Sequence, residues 1–500
     1  MTRRGMASSH PRIGFLERCQ FPYGGHMDSR LSARALTALL GGWRTSEPAY
    51  EALADAVRLL LLDNRIAPRT ALPAERELAA ALALSRTTVS AAYRSLRESG
   101  HIESVRGSGS VTQALGAAAS ARTTVSDPDA IDLQQASPAA WPGLPGVMAQ
   151  VAGEAASLIA RPGYDVVGSP ALRAAIAERY TASGVPTDPA EVMITNGAQS
   201  AIHLLASVLV ARGDRVLIES PTYPHAAEAF RVAGGRLVGV PVTTDDGWDL
   251  DRAEQAFSRV LPTLAYLMPD FQNPTGRTMG EHERAVIAQA ARRAGTIVVV
   301  DDTTSELDID RPFAPSPFGA DLPDVVRVGS LGKTVWGGMR VGWIRAQADV
   351  VRRLTAARFA HELGTPEWEQ AVAAALVPRM GEIVAQRAQQ LREGRDAAVA
   401  ALADLLPAWR VPRVHGGVSL WVELDAPLSG ALVMAVRHEG VLLSAGPRFS
   451  VDGGYERNLR IPFTASPADL RRAIDALARV WPRVQGSAAP ALMDRFDAVV

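Results

Sequence analysis

From Tyr50 onward the apolar residues Leu53, Val57, Leu60 and Leu61 recur at steps of four, three and one, which predicts an amphipathic helix ending near Asp63-Asn64. A second helix follows, with Pro73 at its first turn, Glu75 and Glu77 near the positive end of its dipole, and Leu78 and Leu82 as its apolar face. Ser85 is placed to cap a third helix that runs to about Ser99, where Gly100 is the stop signal. A short strand from His101 to Val105, a tight turn over Arg106-Gly107-Ser108-Gly109 and a second strand over Ser110-Val111-Thr112 complete a helix-turn-helix with a wing. Residues 113–130 are rich in Ala, Ser and Thr and hold no sustained period, so they read as a linker. Beyond them, apolar runs such as Arg215 to Glu219, Leu264 to Met268, Thr296 to Val300 and Val325 to Val328 alternate with helical patterns. That alternation predicts an α/β unit with a mostly parallel sheet covered on both faces, its ligand-binding residues just after the strands.

The pattern divides the chain into a disordered extension over residues 1–30, a winged helix over 31–112, a linker over 113–130, an α/β domain over 131–485 and a tail over 486–500, with Met27 a candidate start. A length of 500 residues, 47% of them hydrophobic, suits two or three domains with a large core. No apolar run approaches the ~18–20 residues of a membrane helix, and the first 26 residues lack the apolar stretch of a secretory signal. The single cysteine, Cys19, excludes an intramolecular disulfide and fits the reducing cytoplasm. No metal site is expected. A net charge of −1 excludes a globally basic nucleic-acid coat, so any DNA-binding face must be local.

Local charge supplies such a face. Ser85-Arg86-Thr87-Thr88 places short donors and a long cation at the start of the third helix, and between Leu78 and Leu96 lie Arg86 and Arg94 but no acid. Arg76 projects from the preceding helix toward a backbone, and Arg106 sits at the wing tip. Any one of these reads as a solvated surface arginine in a chain with 51 of them; the ordered assembly does not. The segment resembles the winged helix of the GntR-type regulators through Leu72-Pro73-Ala74-Glu75-Arg76-Glu77-Leu78-Ala79, Ser85-Arg86-Thr87-Thr88-Val89 and the Gly100 to Gly109 wing. The resemblance implies double-stranded DNA as partner, touched by Arg76, Ser85, Arg86, Thr87, Thr88, Arg106 and Gly107.

Of the 52 basic residues only Lys333 is a lysine. A guanidinium replaces an ammonium wherever a cation suffices, but it cannot form a reversible imine. The surroundings of Lys333 match what pyridoxal 5'-phosphate (PLP) requires. Ser330 and Arg340 flank it at three residues before and seven after, a hydroxyl and a guanidinium for a phosphate, and Gly197-Ala198-Gln199 opens a helix whose free N–H groups suit the same anion. Asp301, or its neighbour Asp302, follows a buried strand and can pair with a protonated pyridine nitrogen. Tyr223, in Ser220-Pro221-Thr222-Tyr223-Pro224, can stack on a ring, and Asn273, in Gln272-Asn273-Pro274-Thr275-Gly276, can donate to the phenolate oxygen. Each alone has a bland reading as a cap, a turn, a core aromatic or a structural ion pair.

Taken in order, these motifs resemble the fold-type I aminotransferases over roughly Ile131 to Arg483, joined by Gly163-Tyr164, Gly168-Ser169-Pro170-Ala171-Leu172-Arg173 and Leu459-Arg460-Ile461-Pro462-Phe463. The resemblance implies a PLP-dependent aminotransferase-like domain with a small C-terminal α+β subdomain, Lys333 as the Schiff-base residue and Arg460 as the ligand for a substrate or effector carboxylate. Two departures stand out: Thr303 and Thr304 lie where family members commonly carry a tyrosine, and Gly332 where a second serine is common. A winged helix, a linker and such a domain in one chain is the layout of the MocR regulators. It implies a homodimeric, cytoplasmic regulator that senses PLP or an amino compound. The rival readings are an active aminotransferase with an accessory DNA-binding module, and a binding protein that no longer holds PLP.

Overall fold

The computed structural model describes residues 30–44, 48–63, 65–105, 109–113, 130–160, 162–320, 322 and 324–487. The expected N-terminal extension, the wing tip at Arg106 and Gly107, nearly all of the linker and most of the C-terminal tail therefore lie outside the described residues.

The N-terminal unit contains α1 (Ala33–Leu40), α2 (Ala49–Leu62), α3 (Glu75–Leu82) and α4 (Arg86–Glu98), followed by β1 (Ile102–Val105) and β2 (Gly109–Thr112), an antiparallel pair. Leu36, Leu53, Val57, Leu78, Val89, Tyr93 and Leu96 interlock in its core. Helix α1, capped by Ser32, adds a fourth element in front of the predicted three. The structure corrects the start of α3. Pro73 precedes the N-cap residue Ala74, because its carbonyl accepts a hydrogen bond from the buried Tyr93 hydroxyl at 2.9 Å and locks the approach to the helix. Ala83, in the left-handed region at φ 53°, makes the turn toward α4.

After β3 (Ile131–Asp132) comes an eight-stranded sheet built from β4 (Val192–Thr195), β5 (Arg215–Ser220), β6 (Arg236–Thr243), β7 (Gly247–Trp248), β8 (Leu264–Leu267), β9 (Ile297–Asp301), β10 (Val325–Ser330) and β11 (Gly342–Arg345). Its order is β4-β11-β10-β9-β8-β5-β6-β7, and the run from β10 to β6 is parallel. Strands buried on both faces are continuous in Val, Ile and Leu, the pattern that made them visible in the sequence. The small subdomain has an antiparallel sheet of β12 (Ser419–Glu423), β14 (Ser444–Ala445) and β15 (Asn458–Pro462), packed by the helices Met380–Leu405, Ser429–Arg437 and Pro467–Ser487. The last helix runs past the boundary expected at residue 485. Strand β3 pairs in parallel with β13 (Val441–Leu442), so the chain enters the α/β domain by way of the small subdomain. The helix Ser429–Arg437 packs on α2, and Leu59 of α2 packs against the small subdomain's core.

Candidate cofactor site and DNA-reading surface

The carboxyl ends of β4, β5, β8, β9 and β10 lie at one edge of the sheet, and each is followed by at least one predicted residue, as expected where an open parallel sheet binds a ligand. Strand β4 ends in Thr195 and leads to Gly197, the N-cap of the helix Ala198–Leu209. The first-turn N–H groups of that helix, those of Ala198 and Gln199 included, have no partner within it by geometry. The guanidinium of Arg340 lies across this helix end: Nη2 donates to the Asn196 carbonyl at 2.9 Å, and a Cβ on Gly197 would stand 2.9 Å from it. The Gln199 side chain donates to the His225 carbonyl at 3.0 Å, bracing the helix against the neighbouring loop.

Gly197 adopts φ 88° and ψ 168°, a region open in practice to glycine alone. Gly197→Ala is expected to cost about 1–3 kcal/mol of stability and to push Arg340 off the helix end. A thermal melt together with a PLP titration checks this, with an affinity loss of about tenfold expected, the equivalent of ~1.4 kcal/mol.

Lys333 occupies the turn after β10. Ser330 shapes that turn: its Oγ accepts from the Gly332 N–H at 3.0 Å and donates to the Val341 carbonyl at 3.2 Å. The serine expected at the phosphate thus has its proton committed to the lysine loop. Burial pushes the Lys333 amine down to about 8, helped by the Arg460 guanidinium and opposed by Asp301.

Asp301, at the end of β9, is buried and accepts three hydrogen bonds, from the Tyr266 hydroxyl, the Thr303 N–H at 2.9 Å and the Thr303 hydroxyl at 2.6 Å. Burial raises its pKa, while those bonds and Lys333 oppose the rise. Asp302 points away from Asp301, pairing with Arg327 at 3.2 Å and accepting from Tyr180 at 3.4 Å, as alternation along an extended chain requires. Neither threonine at the usual tyrosine position is aimed at a phenolate. Thr303 serves Asp301, and Thr304 donates to the Asp270 carbonyl at 2.9 Å.

Tyr223 is half-buried at the N-terminus of the helix Pro224–Val232, edge-on to His225. Burial raises its phenol to about 12; Asp301 adds to the rise and Arg460 opposes it, which puts these side chains in one electrostatic cluster. Asn273 carries a buried Oδ1 with no hydrogen-bond partner among the described residues. Arg460, on β15, is 6% exposed; it lies over the Phe449 ring at 4.7 Å, and its Nε is buried without a hydrogen-bond partner among the described residues. Burial lowers its pKa to about 10. An orphaned guanidinium N–H, a triply bonded carboxylate and a glycine-lined helix end with an arginine across it are the complement of a flat, anionic, hydrogen-bonding group. The residues present fit PLP.

Sequence reasoning missed several contributors. Tyr266 was detectable in principle, because a hydroxyl in the fully buried run Leu264–Leu267 must find a partner. Glu219, equally buried, accepts from Trp248 Nε1 at 2.8 Å and from Gln272 at 3.3 Å, tying the Tyr223 loop to the Asn273 loop. The backbone carbonyls of Gln134 and Ala136, which accept from Arg460 and Lys333, carry no side-chain signature at all, and Phe449 reads in the sequence as one more core aromatic.

On the winged helix, Ser85 Oγ accepts the Thr88 N–H at 3.1 Å and lies 2.7 Å from the hydroxyls of Thr87 and Thr88. Arg76, Arg86, Thr87 and Arg94 are exposed around this helix start, and Thr88 is half-buried. Arg97 donates to Ser110 at 3.3 Å, fixing α4 against the wing.

Comparison with known proteins matches residues 159–477 to the family aminotransferase class I and II, and residues 49–111 to the bacterial regulatory proteins of the gntR family. The chain is 33% identical to a 2-aminoadipate transaminase of Thermus thermophilus, over 62% of this chain and 81% of that one. It is 33% identical to the probable rhizopine catabolism regulatory protein MocR of Rhizobium meliloti, over 59% of this chain and 65% of the relative. It is 27% identical to the uncharacterized HTH-type transcriptional regulator YdfD of Bacillus subtilis, over 81% and 90%. Among solved structures, LysN of Thermus thermophilus, an alpha-aminoadipate aminotransferase complexed with N-(5'-phosphopyridoxyl)-L-leucine, superposes with a TM-score of 0.65 at 29% identity, over 71% of this chain and 92% of that one. No helix among the described residues is long and apolar enough to cross a membrane. With a gntR-family DNA-binding domain ahead of a PLP domain, in the layout of the MocR-type regulators, this chain belongs to the aminotransferase class I and II family.

Proposed function

We propose that the chain is a cytoplasmic, homodimeric transcriptional regulator whose PLP domain senses PLP or an amino compound and passes its state to the winged helix. One observation carries the reading. The DNA-reading unit rests, through α2, on the small subdomain that supplies Arg460, so a shift of that subdomain on ligand binding moves the winged helix with it.

PLP, when bound, supplies an aldehyde that condenses reversibly with amines and a ring that withdraws electrons. Around it, Arg340 and the helix end at Gly197, Ala198 and Gln199 hold the phosphate, with Ser330 shaping the loop beside them. Asp301 would pair with the ring nitrogen, Asn273 would donate to the phenolate oxygen and Tyr223 would stack on the ring. Lys333 provides the amine, and Arg460 holds a ligand carboxylate. The large apolar side chains of Ile159, Tyr164, Phe359 and Leu363 are exposed, in keeping with a face that a second copy covers. An active aminotransferase is the second reading. It is favoured by the Lys333 amine at about 8, which suits proton transfer near neutral pH.

The test is fluorescence anisotropy of the full chain on DNA selected from a random pool, with and without PLP and L-2-aminoadipate. Arg86→Ala is expected to weaken binding by about 1–3 kcal/mol if Arg86 reads a base and to lower the salt slope by about 1 if it holds a phosphate. DNA affinity indifferent both to Arg86→Ala and to the ligands, alongside multiple turnovers with 2-oxo acids, would replace the regulator by the enzyme.

A further inference from the structure

Two cations of the site are held by one stretch of backbone. Lys333 Nζ donates to the Ala136 carbonyl at 2.6 Å, and Arg460 Nη2 donates to the Gln134 carbonyl. The stretch is a strap anchored at both ends. Strand β3 fixes its start on the small subdomain, and Asp132 Oδ1 accepts the Gln134 N–H at 2.8 Å. At the far end, Trp141 donates from its N–H to the Val335 carbonyl at 2.9 Å and from Nε1 to Gln386 at 2.7 Å, while Arg387 donates to the Ala139 carbonyl at 2.8 Å.

A neutral carbonyl is a weak partner for a buried guanidinium. Bonds to a carboxylate are roughly twice as strong as neutral ones and commonly bidentate, and Arg460 Nε is buried and unpaired, ready for the second of the two. The strap also touches the route to DNA. Arg437, at the end of the helix Ser429–Arg437, interacts electrostatically with Asp132 of the strap and with Asp63 at the end of α2.

We infer that residues 133–137 are an internal stand-in for the effector, holding Arg460 and Lys333 through backbone carbonyls until a carboxylate-bearing amino compound displaces them, and that this displacement alters the docking of the winged helix. The inference rests on the proposed regulator and narrows its ligand class. PLP attached to Lys333 removes only the Ala136 contact and leaves Gln134 on Arg460. An amine that exchanges into that linkage releases the Lys333 amine, which is free to return to Ala136. Only an amine that also carries a carboxylate competes with Gln134 for Arg460, so PLP loads the site and the amino acid triggers it. The strap acts as a competitor that weakens a carboxylate-bearing ligand by the fraction of time it is seated on Arg460.

A crosslink tests this. The Ser137 hydroxyl lies 2.9 Å from where a Cβ on Gly337 would stand, a spacing suited to a disulfide. The full chain carrying Ser137→Cys and Gly337→Cys in a Cys19→Ser background is compared after diamide oxidation and after reduction. The probes are N-(5'-phosphopyridoxyl)-L-leucine, which carries a carboxylate, and pyridoxamine phosphate, which does not. The oxidised protein is expected to bind the leucine adduct at least about tenfold more weakly than the reduced protein, ~1.4 kcal/mol, with pyridoxamine phosphate bound equally by both. Its DNA affinity is expected to ignore the adduct. Equal adduct affinity in the two oxidation states, or a DNA response that survives the crosslink, would overturn the inference. Independently of any variant, the adduct should accelerate hydrogen exchange over residues 133–141 in the unmodified chain and pyridoxamine phosphate should not; identical exchange with both probes counts against it. Failure of the unmodified chain to bind either probe would sink the cofactor reading and this inference with it.

Discussion

Lys333→Ala is expected to abolish covalent attachment of PLP completely: borohydride, which fixes the cofactor to the unmodified chain, should fix none to the variant. No other lysine exists to take its place. In the unmodified chain, capture of PLP should accelerate about tenfold per pH unit up to about pH 8 and then level off, because only the unprotonated amine attacks and burial has brought the Lys333 amine down to about 8. An amine at its ordinary value near 10.5 would keep the rate climbing for two further units. The fold should survive, since the substitution removes a partly desolvated charge whose hydrogen-bond partner is a single carbonyl. In a thermal melt the unmodified chain should gain about 2.7 kcal/mol at a hundredfold excess of PLP over its Kd, and the variant correspondingly less. A borohydride-fixed cofactor on Lys333→Ala would refute the assignment.

Asp301→Asn is expected to lower PLP affinity by roughly 10²–10⁴-fold, since taking one partner from a buried charge pair costs about 3–5 kcal/mol. The cofactor-free protein should respond in the opposite sense. Burial raises the folded-state pKa of Asp301, so its contribution to stability is present at low pH and is lost as pH rises through that folded value. At neutral pH the aspartate is therefore a liability without a partner. Its replacement by a neutral amide should leave the empty protein no less stable, apart from the cost of turning an amide N–H toward the Thr303 or Tyr266 donors. Titration calorimetry with PLP and melts of the empty protein separate the two effects. A variant that binds PLP as tightly as the parent would show that Asp301 does not face the ring nitrogen.

Much of this site was legible because its chemistry demands unusual side chains next to strand ends. Lys333, Asp301, Asn273 and Tyr223 each interrupt or follow an apolar run, and periodicity located those runs. The choice between Asp301 and Asp302 was not legible, because adjacent acids on one strand differ only in which face they meet, and the pairing of Arg327 with Asp302 is a long-range contact. One task of Ser330 was not legible. The tight turn after β10 leaves the Gly332 N–H needing an acceptor, and the Ser330 hydroxyl supplies it. The threonines at the usual tyrosine position could be flagged from sequence; that one holds Asp301 and the other a backbone carbonyl required coordinates.

The helix α1 and the early placement of Pro73 show the same division within the winged helix. Ser32 and the apolar face of Ala33–Leu40 carried a helical signal, whereas the exclusion of Pro73 from α3 depended on a hydroxyl twenty positions away in α4.

By itself, then, the sequence determined the class of fold, the division into a DNA-reading unit and a PLP domain, and the identity of the residues with reactive or charged side chains. Those properties follow from local periodicity and from side-chain chemistry that few residue types can supply. Only the tertiary structure decided which of the adjacent acids is held by Tyr266 and Thr303 and which pairs with Arg327, how the winged helix rests on the small subdomain and what holds Arg460 and Lys333. The carbonyls of Gln134 and Ala136 belong to every peptide alike, and nothing in their side chains announces where the backbone will pass.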